Sequence, residues 1–161
     1  MWPLLARAMG KVKVGDKAPD FVLPRQDGAQ VSLRDFLGKQ NIVLYFYPKD
    51  FTMGCTAETK AFGASFEELK RLGAEVLGVS SDSTQSHHEF ADSCGATFPL
   101  LSDEGGKVRE LYGATGSLGL VPGRVTYVID KQGVVRHVFS SQLNPKKHVD
   151  EALQALRGLP A

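Results

Sequence analysis

Two cysteines are the side chains best suited to covalent chemistry in this chain, and Cys55 has the more telling neighbours. It sits in the string YFYPKDFTMGCTAE, with Thr52 and Pro48 just upstream and glycine immediately before it. The apolar run over residues 42–47, rich in β-branched and aromatic side chains, predicts a strand buried on both faces. Pro48 has no N–H to give a ladder and ends that strand. Downstream, Phe62, Phe66, Leu69 and Leu72 recur with the spacing of one helical stripe. Cys55 is thereby placed on the first turn of a helix that leaves a central strand. The first N–H groups of a helix have no intrahelical partner, and the macrodipole adds partial positive charge there. Both stabilise a thiolate, so a cysteine in this place is expected to ionise more readily than a free thiol. Thr52 can aim a hydroxyl at the same spot, while Pro48 brings an apolar ring to its mouth. Most free cysteines are small buried hydrophobes; a polar, glycine-flanked helix start argues for the reactive reading.

The elements around this stretch follow from their patterns. Residues 21–23 and Val31 flank an Asp27-Gly28 turn and can form a small hairpin. Ser32 to Asp35 reads as a capped short helix that stops at Gly38. Residues 75–80 predict a second buried strand. A helix capped by Asp82-Ser83 runs to Cys94 before Gly95, and residues 98–101 predict an extended segment. Residues 107–112 read as a short helix and residues 113–123 as a glycine-rich loop. Two β-rich runs, 124–129 and 134–139, are joined by the hairpin signal Asp130-Lys131-Gln132-Gly133. A last helix starts at Asn144-Pro145 and buries Val149, Ala152, Leu153 and Leu156. Parallel strands joined by crossover helices, then an antiparallel pair, predict an α/β thioredoxin-like three-layer sandwich with a central mixed sheet. Sites in open sheets of this kind lie off the carboxyl ends of the parallel strands, where Cys55 is carried. Residues 1–13 are expected to be a loose arm and residues 14–161 one domain.

The spacing Pro48-x-x-x-Thr52-x-x-Cys55 resembles the active-site signature of the peroxiredoxins. The longer string looks like their bacterioferritin-comigratory, or peroxiredoxin Q, branch, and VGDKAPDFVLP, FPLLSD and RVTYVIDKQG match in order. The resemblance implies a thiol peroxidase that reduces hydrogen peroxide and organic hydroperoxides, with Cys55 becoming a sulfenic acid. It implies no cofactor, and a dithiol reductant such as thioredoxin. It places Arg124 beside Cys55, with Glu58, one turn into the helix, able to pair with that arginine. An arginine at a strand start is otherwise usually solvated, and an acid in a first helical turn is favourable in its own right. The commonest resolving cysteine of the family would stand five residues after Cys55, where this chain has Lys60. A second family variant carries it on the helix that ends here in Cys94, one turn beyond its usual place, which leaves two readings: a resolving thiol or a bystander. The other function considered is a thioredoxin-fold binding or chaperone module with regulatory thiols; CxxC is absent.

Net charge is +1, from 19 basic against 18 acidic residues, with no basic run, so nucleic acid and acidic membranes are not expected partners. Two cysteines without CxxC or zinc spacing suggest a reducing compartment rather than a disulfide scaffold. His87 and His88 are adjacent and face different sides of a helix, so no metal site is expected. The N-terminal apolar patch is too short for a signal-peptide core or a membrane span. A cytoplasmic monomer or weak homodimer is expected, with a plastid protein whose transit peptide has been trimmed as the alternative.

Overall fold

The structure is a computed structural model and describes residues 11–115 and 123–161. Its centre is β3 (Asn41–Phe46), whose six residues are all buried. β4 (Ala74–Ser80) pairs with it in parallel, from Asn41↔Ala74 to Phe46↔Val79, and β5 (Leu100–Ser102) continues the parallel set. On the other side β6 (Val125–Ile129) is antiparallel to β3, and β7 (Val135–Ser140) closes the hairpin. The order is therefore β5-β4-β3-β6-β7, the mixed sheet expected of a thioredoxin-like sandwich. A separate two-stranded hairpin, β1 (Val22–Pro24) and β2 (Gln30–Ser32), leads into a short 3₁₀ turn over Leu33–Asp35.

Because strand side chains alternate, β3 feeds two cores. Ile42, Leu44 and Phe46 join Phe21, Leu33, Val108, Tyr112 and Tyr127 on one face. Val43 and Tyr45 join Cys55, Phe62, Leu69, Phe90, Val149 and Leu156 on the other. The second face is covered by helices α1 (Met53–Ala64), α2 (Phe66–Arg71), α3 (Thr84–Cys94) and α5 (Pro145–Arg157). α4 (Lys107–Tyr112) packs on the first. Each fully buried large apolar side chain contributes about 1.5–3 kcal/mol over its exposed state, so both layers resist opening.

Three local expectations change. The single helix over Phe62 to Leu72 is two, broken at Ser65, where ψ is 9°. Gly63 and Ser65 are weak helix formers, and the break lets α2 turn Leu69 into the core beside buried Phe62, with Phe66 and Leu72 partly buried. Asn144 stands at the start of α5 but its amide donates to Ser141 Oγ (3.2 Å) instead of capping. Val12 is buried and its N–H bonds Tyr112 O (3.1 Å), so the packed chain begins before residue 14. The rest of the expected arm, residues 1–10, and most of the expected glycine-rich loop, residues 116–122, lie outside the described residues.

Candidate active site

β3 ends at Phe46; Pro48 follows Tyr47 and the chain turns into α1. The first intrahelical bond runs from Thr56 N–H to Thr52 O (2.9 Å), so the N–H groups of Met53, Gly54 and Cys55 precede the ladder. Cys55 lies on that turn with its residue wholly buried. Arg124, at the start of β6, reaches across to it: Nη1 is 3.4 Å from Cys55 Sγ. The same nitrogen donates to Glu58 Oε1 at 2.7 Å, one turn along α1. Nε donates to Gln142 O (3.3 Å) after β7. The guanidinium thus has three fixed partners and 6% exposure. Gly54 makes room for it, because a Cβ there would lie 2.8 Å from Arg124 Nη2.

Behind Glu58 stands His148, a residue whose sequence context gave no sign of a role. Its Nε2 donates to Ser141 O (2.8 Å), since a carbonyl can only accept; Nδ1 therefore accepts from Thr126 Oγ1 (2.8 Å). Glu58 Oε2, 3.6 Å from that Nδ1, has no hydrogen-bond partner among the described residues. Burial pushes the Glu58 carboxyl up to about 8, against the pull of Arg124. Burial also holds the His148 imidazolium down to about 4, so the ring is neutral at pH 7.

The Pro48 loop is fastened separately. Thr52 occupies the N-cap of α1, but its hydroxyl donates to Lys49 O (2.9 Å), so its proton is engaged there and not at Cys55. Asp50, also missed in the sequence, accepts from Tyr47 Oη (2.7 Å) and Ser86 Oγ (2.8 Å) and faces His87 Nδ1 at 2.7 Å. Its N–H donates to Asp82 Oδ2 (2.8 Å). Asp50, Asp82 and His87 together have the ligand spacing of a metal site. Each ligand atom, however, already has a protein partner, and His87 Nε2 is spent on Leu101 O (2.9 Å). Phe51, between Asp50 and Thr52, is a non-glycine residue at φ 65° and packs edge-on against Phe90. Phe46 is core, whereas Phe51 is half-exposed and Met53 is exposed.

Cys94 ends α3, with Gly95 after it at φ 66°, and it packs at the margin of the same core as Cys55. Both thiols are free. Burial pushes the Cys94 thiol up, and Lys60 opposes that. Lys60 thus acts on the second thiol from the very position of the commoner resolving cysteine.

Residues 14–138 match the AhpC/TSA family. The chloroplastic peroxiredoxin Q of Oryza sativa subsp. japonica is 49% identical over 151 residues, covering 93% of this chain and 69% of its own. The crystal structure of peroxidoxin BcpB from Mycobacterium tuberculosis aligns with a TM-score of 0.86 at 37% identity, over 93% of this chain and 99% of that one. Xanthomonas campestris bacterioferritin comigratory protein, described for its alkyl peroxide reduction activity, aligns at 0.81 and 31% identity, over 91% and 96% of the two chains. A match of this length, on a fold that delivers an arginine to the cysteine of the matched motif, leaves one assignment: the chain belongs to the AhpC/TSA family of thiol peroxidases, on its peroxiredoxin Q branch.

Proposed function

We propose that Cys55 is the peroxidatic nucleophile, and the observation that carries this is Arg124 Nη1 lying 3.4 Å from its sulfur. The Cys55 thiolate attacks the terminal oxygen of a hydroperoxide. An S–O bond forms, the O–O bond breaks, and the leaving alkoxide takes a proton to depart as alcohol, or as water from hydrogen peroxide. Arg124 and the free N–H groups of the α1 start face the charge that moves along the S–O–O axis. Pro48 and Thr52 frame the approach, and Glu58 holds Arg124 in place. Organic hydroperoxides are substrates alongside hydrogen peroxide: Met53 and Leu143, next to the Cys55 turn and to the Arg124 contact at Gln142, are 90% and 87% exposed and offer apolar surface.

Cys94 then condenses with the Cys55 sulfenic acid, releasing water and leaving a disulfide that a thioredoxin-type dithiol reduces. Such a cycle suits a reducing compartment, and chloroplastic relatives weight the plastid over the cytoplasm. Near-zero net charge and the absence of a basic run favour a protein that works without nucleic acid or membrane; the same reading takes it as a monomer or weak dimer. No helix among the described residues is long and apolar enough to cross a membrane.

Cys55→Ser tests the nucleophile, because hydroxyl for thiol is nearly isosteric. The variant is expected to fold and to show no peroxide consumption in a thioredoxin-coupled assay. Turnover by the clean, folded variant would assign the chemistry to another group.

A further inference from the structure

Arg109 is, with Arg124, one of two buried arginines among the described residues and lies outside every motif read in the sequence. It stands in the six-residue helix α4 and is 6% exposed. Its described side-chain acceptors are all main-chain carbonyls. Nη2 donates to Tyr47 O, the residue before Pro48. Nη1 donates to Gly123 O (2.7 Å), the residue before Arg124, and to Ala114 O (2.9 Å). Gly123 N–H in turn donates to Ala114 O (3.2 Å), so one nitrogen gathers both sides of the segment 116–122. The guanidinium plane also lies over the Phe46 ring, 5.6 Å from its centre, at the end of β3.

A buried guanidinium bound only to neutral carbonyls is costly, because among the described residues it forms no ion pair to offset its lost hydration. A buried methionine would fill similar space without that cost. What the guanidinium supplies is a fixed fork of donors from two nitrogens, which a lysine cannot reproduce. The fork joins the two chain segments whose next residues are Pro48 and Arg124. Burial lowers the Arg109 pKa, and the negative charges of Asp103 and then of Cys55 oppose that.

We propose that Arg109 is a positioning residue of the peroxidase reaction: by holding Tyr47 O and Gly123 O together it sets Arg124 against Cys55. The proposal rests on the assignment of Cys55 and Arg124 above. With Arg109 gone, Gly123 O loses its link to Tyr47 O, so the strand pairing of Val125 with Phe46 holds only the residue after Arg124, and nothing among the described residues joins the residue before it to Tyr47. The 3.4 Å contact on the sulfur then rests on Glu58 and Gln142 at the side chain and on the β6 ladder, with Ser141 N–H on Arg124 O, at the backbone.

The test is a double-mutant cycle on the second-order rate constant for hydrogen peroxide, measured by competition with a haem peroxidase. Four proteins are compared after urea melts confirm their folding: wild type, Arg109→Lys, Arg124→Ala and the double variant, with Arg109→Met repeating the cycle. Arg109→Lys and Arg109→Met are expected to react at least tenfold more slowly than wild type. In the Arg124→Ala background the same substitutions are expected to change the rate less than twofold, because their effect runs through Arg124. A packing defect alone would add its full loss in both backgrounds. Wild-type-like rates in the Arg109 variants, fully additive losses, or failure of both Arg109 variants to fold would overturn the proposal. An unchanged rate in Arg124→Ala alone is a different result, and would remove the Arg124 assignment on which the proposal stands.

Discussion

Gly54 shows how one hydrogen in place of a side chain can serve the chemistry. The Arg124 guanidinium passes so close that an added Cβ would sit 2.8 Å from Nη2 and 3.5 Å from Cζ. Gly54→Ala should therefore leave the helix as stable or more so, since alanine is the better helix former by up to about 1 kcal/mol. It should also push the guanidinium off Cys55 and Glu58. Losing a hydrogen bond to a charged group is worth about 1.5–3 kcal/mol, or roughly 10- to 100-fold in rate. Gly54→Ala is thus expected to react with peroxide at least tenfold more slowly, and to melt lower than wild type only by the amount by which loss of the buried Arg124–Glu58 pair exceeds the helix gain. An unchanged rate would mean that the arginine moves aside without consequence. The two glycines that flank the cysteines differ in role. Gly54 supplies clearance, whereas Gly95, at φ 66° with open space around its Cα, supplies the left-handed residue that ends α3.

At the scale of elements, His148 is the pin between α5 and the β6–β7 hairpin, through Thr126 Oγ1 and Ser141 O. Burial lowers its pKa from 6.5 to about 4. Between those values the unfolded chain binds a proton that the folded one does not, so the His148 contribution is whole at pH 7 and is lost as pH falls to 4. The shift corresponds to up to about 3 kcal/mol. Glu58, raised to about 8, works in the opposite sense, its contribution shrinking as pH rises towards that value. The clean measurement is therefore a difference: the stability gap between wild type and His148→Gln, from urea melts, should narrow by up to about 3 kcal/mol from pH 7 to pH 4. A gap independent of pH would show that His148 does not titrate in this way. Most elements were legible in the sequence because their signals are local: the apolar run of β3, the Asp130 to Gly133 turn, the Pro145 start of α5. Cys55 was legible for the same reason, and Arg124 only through resemblance. His148 and Arg109 were not, because a lone histidine or arginine on a short amphipathic stretch looks the same whether it faces water or a distant carbonyl. The Asp50–His87 contact joins residues 37 positions apart, which no local pattern reports.

Across the whole molecule, both cysteines belong to the helical layer, and the two ends of α3 are held very differently. Its first turns are fixed by Ser83 Oγ accepting from Ser86 N–H (3.1 Å), by His87 on Asp50 and Leu101, and by buried Phe90. Its last turn has Asp92 and Ser93 exposed and Cys94 half-buried. On the other side, Cys55 is wholly buried beneath Arg124. A disulfide needs the two Cα atoms within about 7 Å, which requires backbone movement if each thiol is held on its own packed helix. The more exposed stretches are the last turn of α3 and the entry to the first turn of α1, where Phe51, just before the Thr52 cap, stores backbone strain of about 1–3 kcal/mol. Opening should therefore be confined to those two turns while the sheet stays closed. After one equivalent of hydrogen peroxide, intact mass should fall by two hydrogens, and peptide mapping should show a Cys55–Cys94 bridge within one chain. Hydrogen exchange on that oxidised protein should then show faster amides over residues 53–56 and 92–95, with β3 and β4 as protected as before. A stable sulfenic or sulfinic adduct on Cys55, with Cys94 still open to alkylation, would make this a one-cysteine enzyme and leave the exposed last turn of α3 without a part in catalysis.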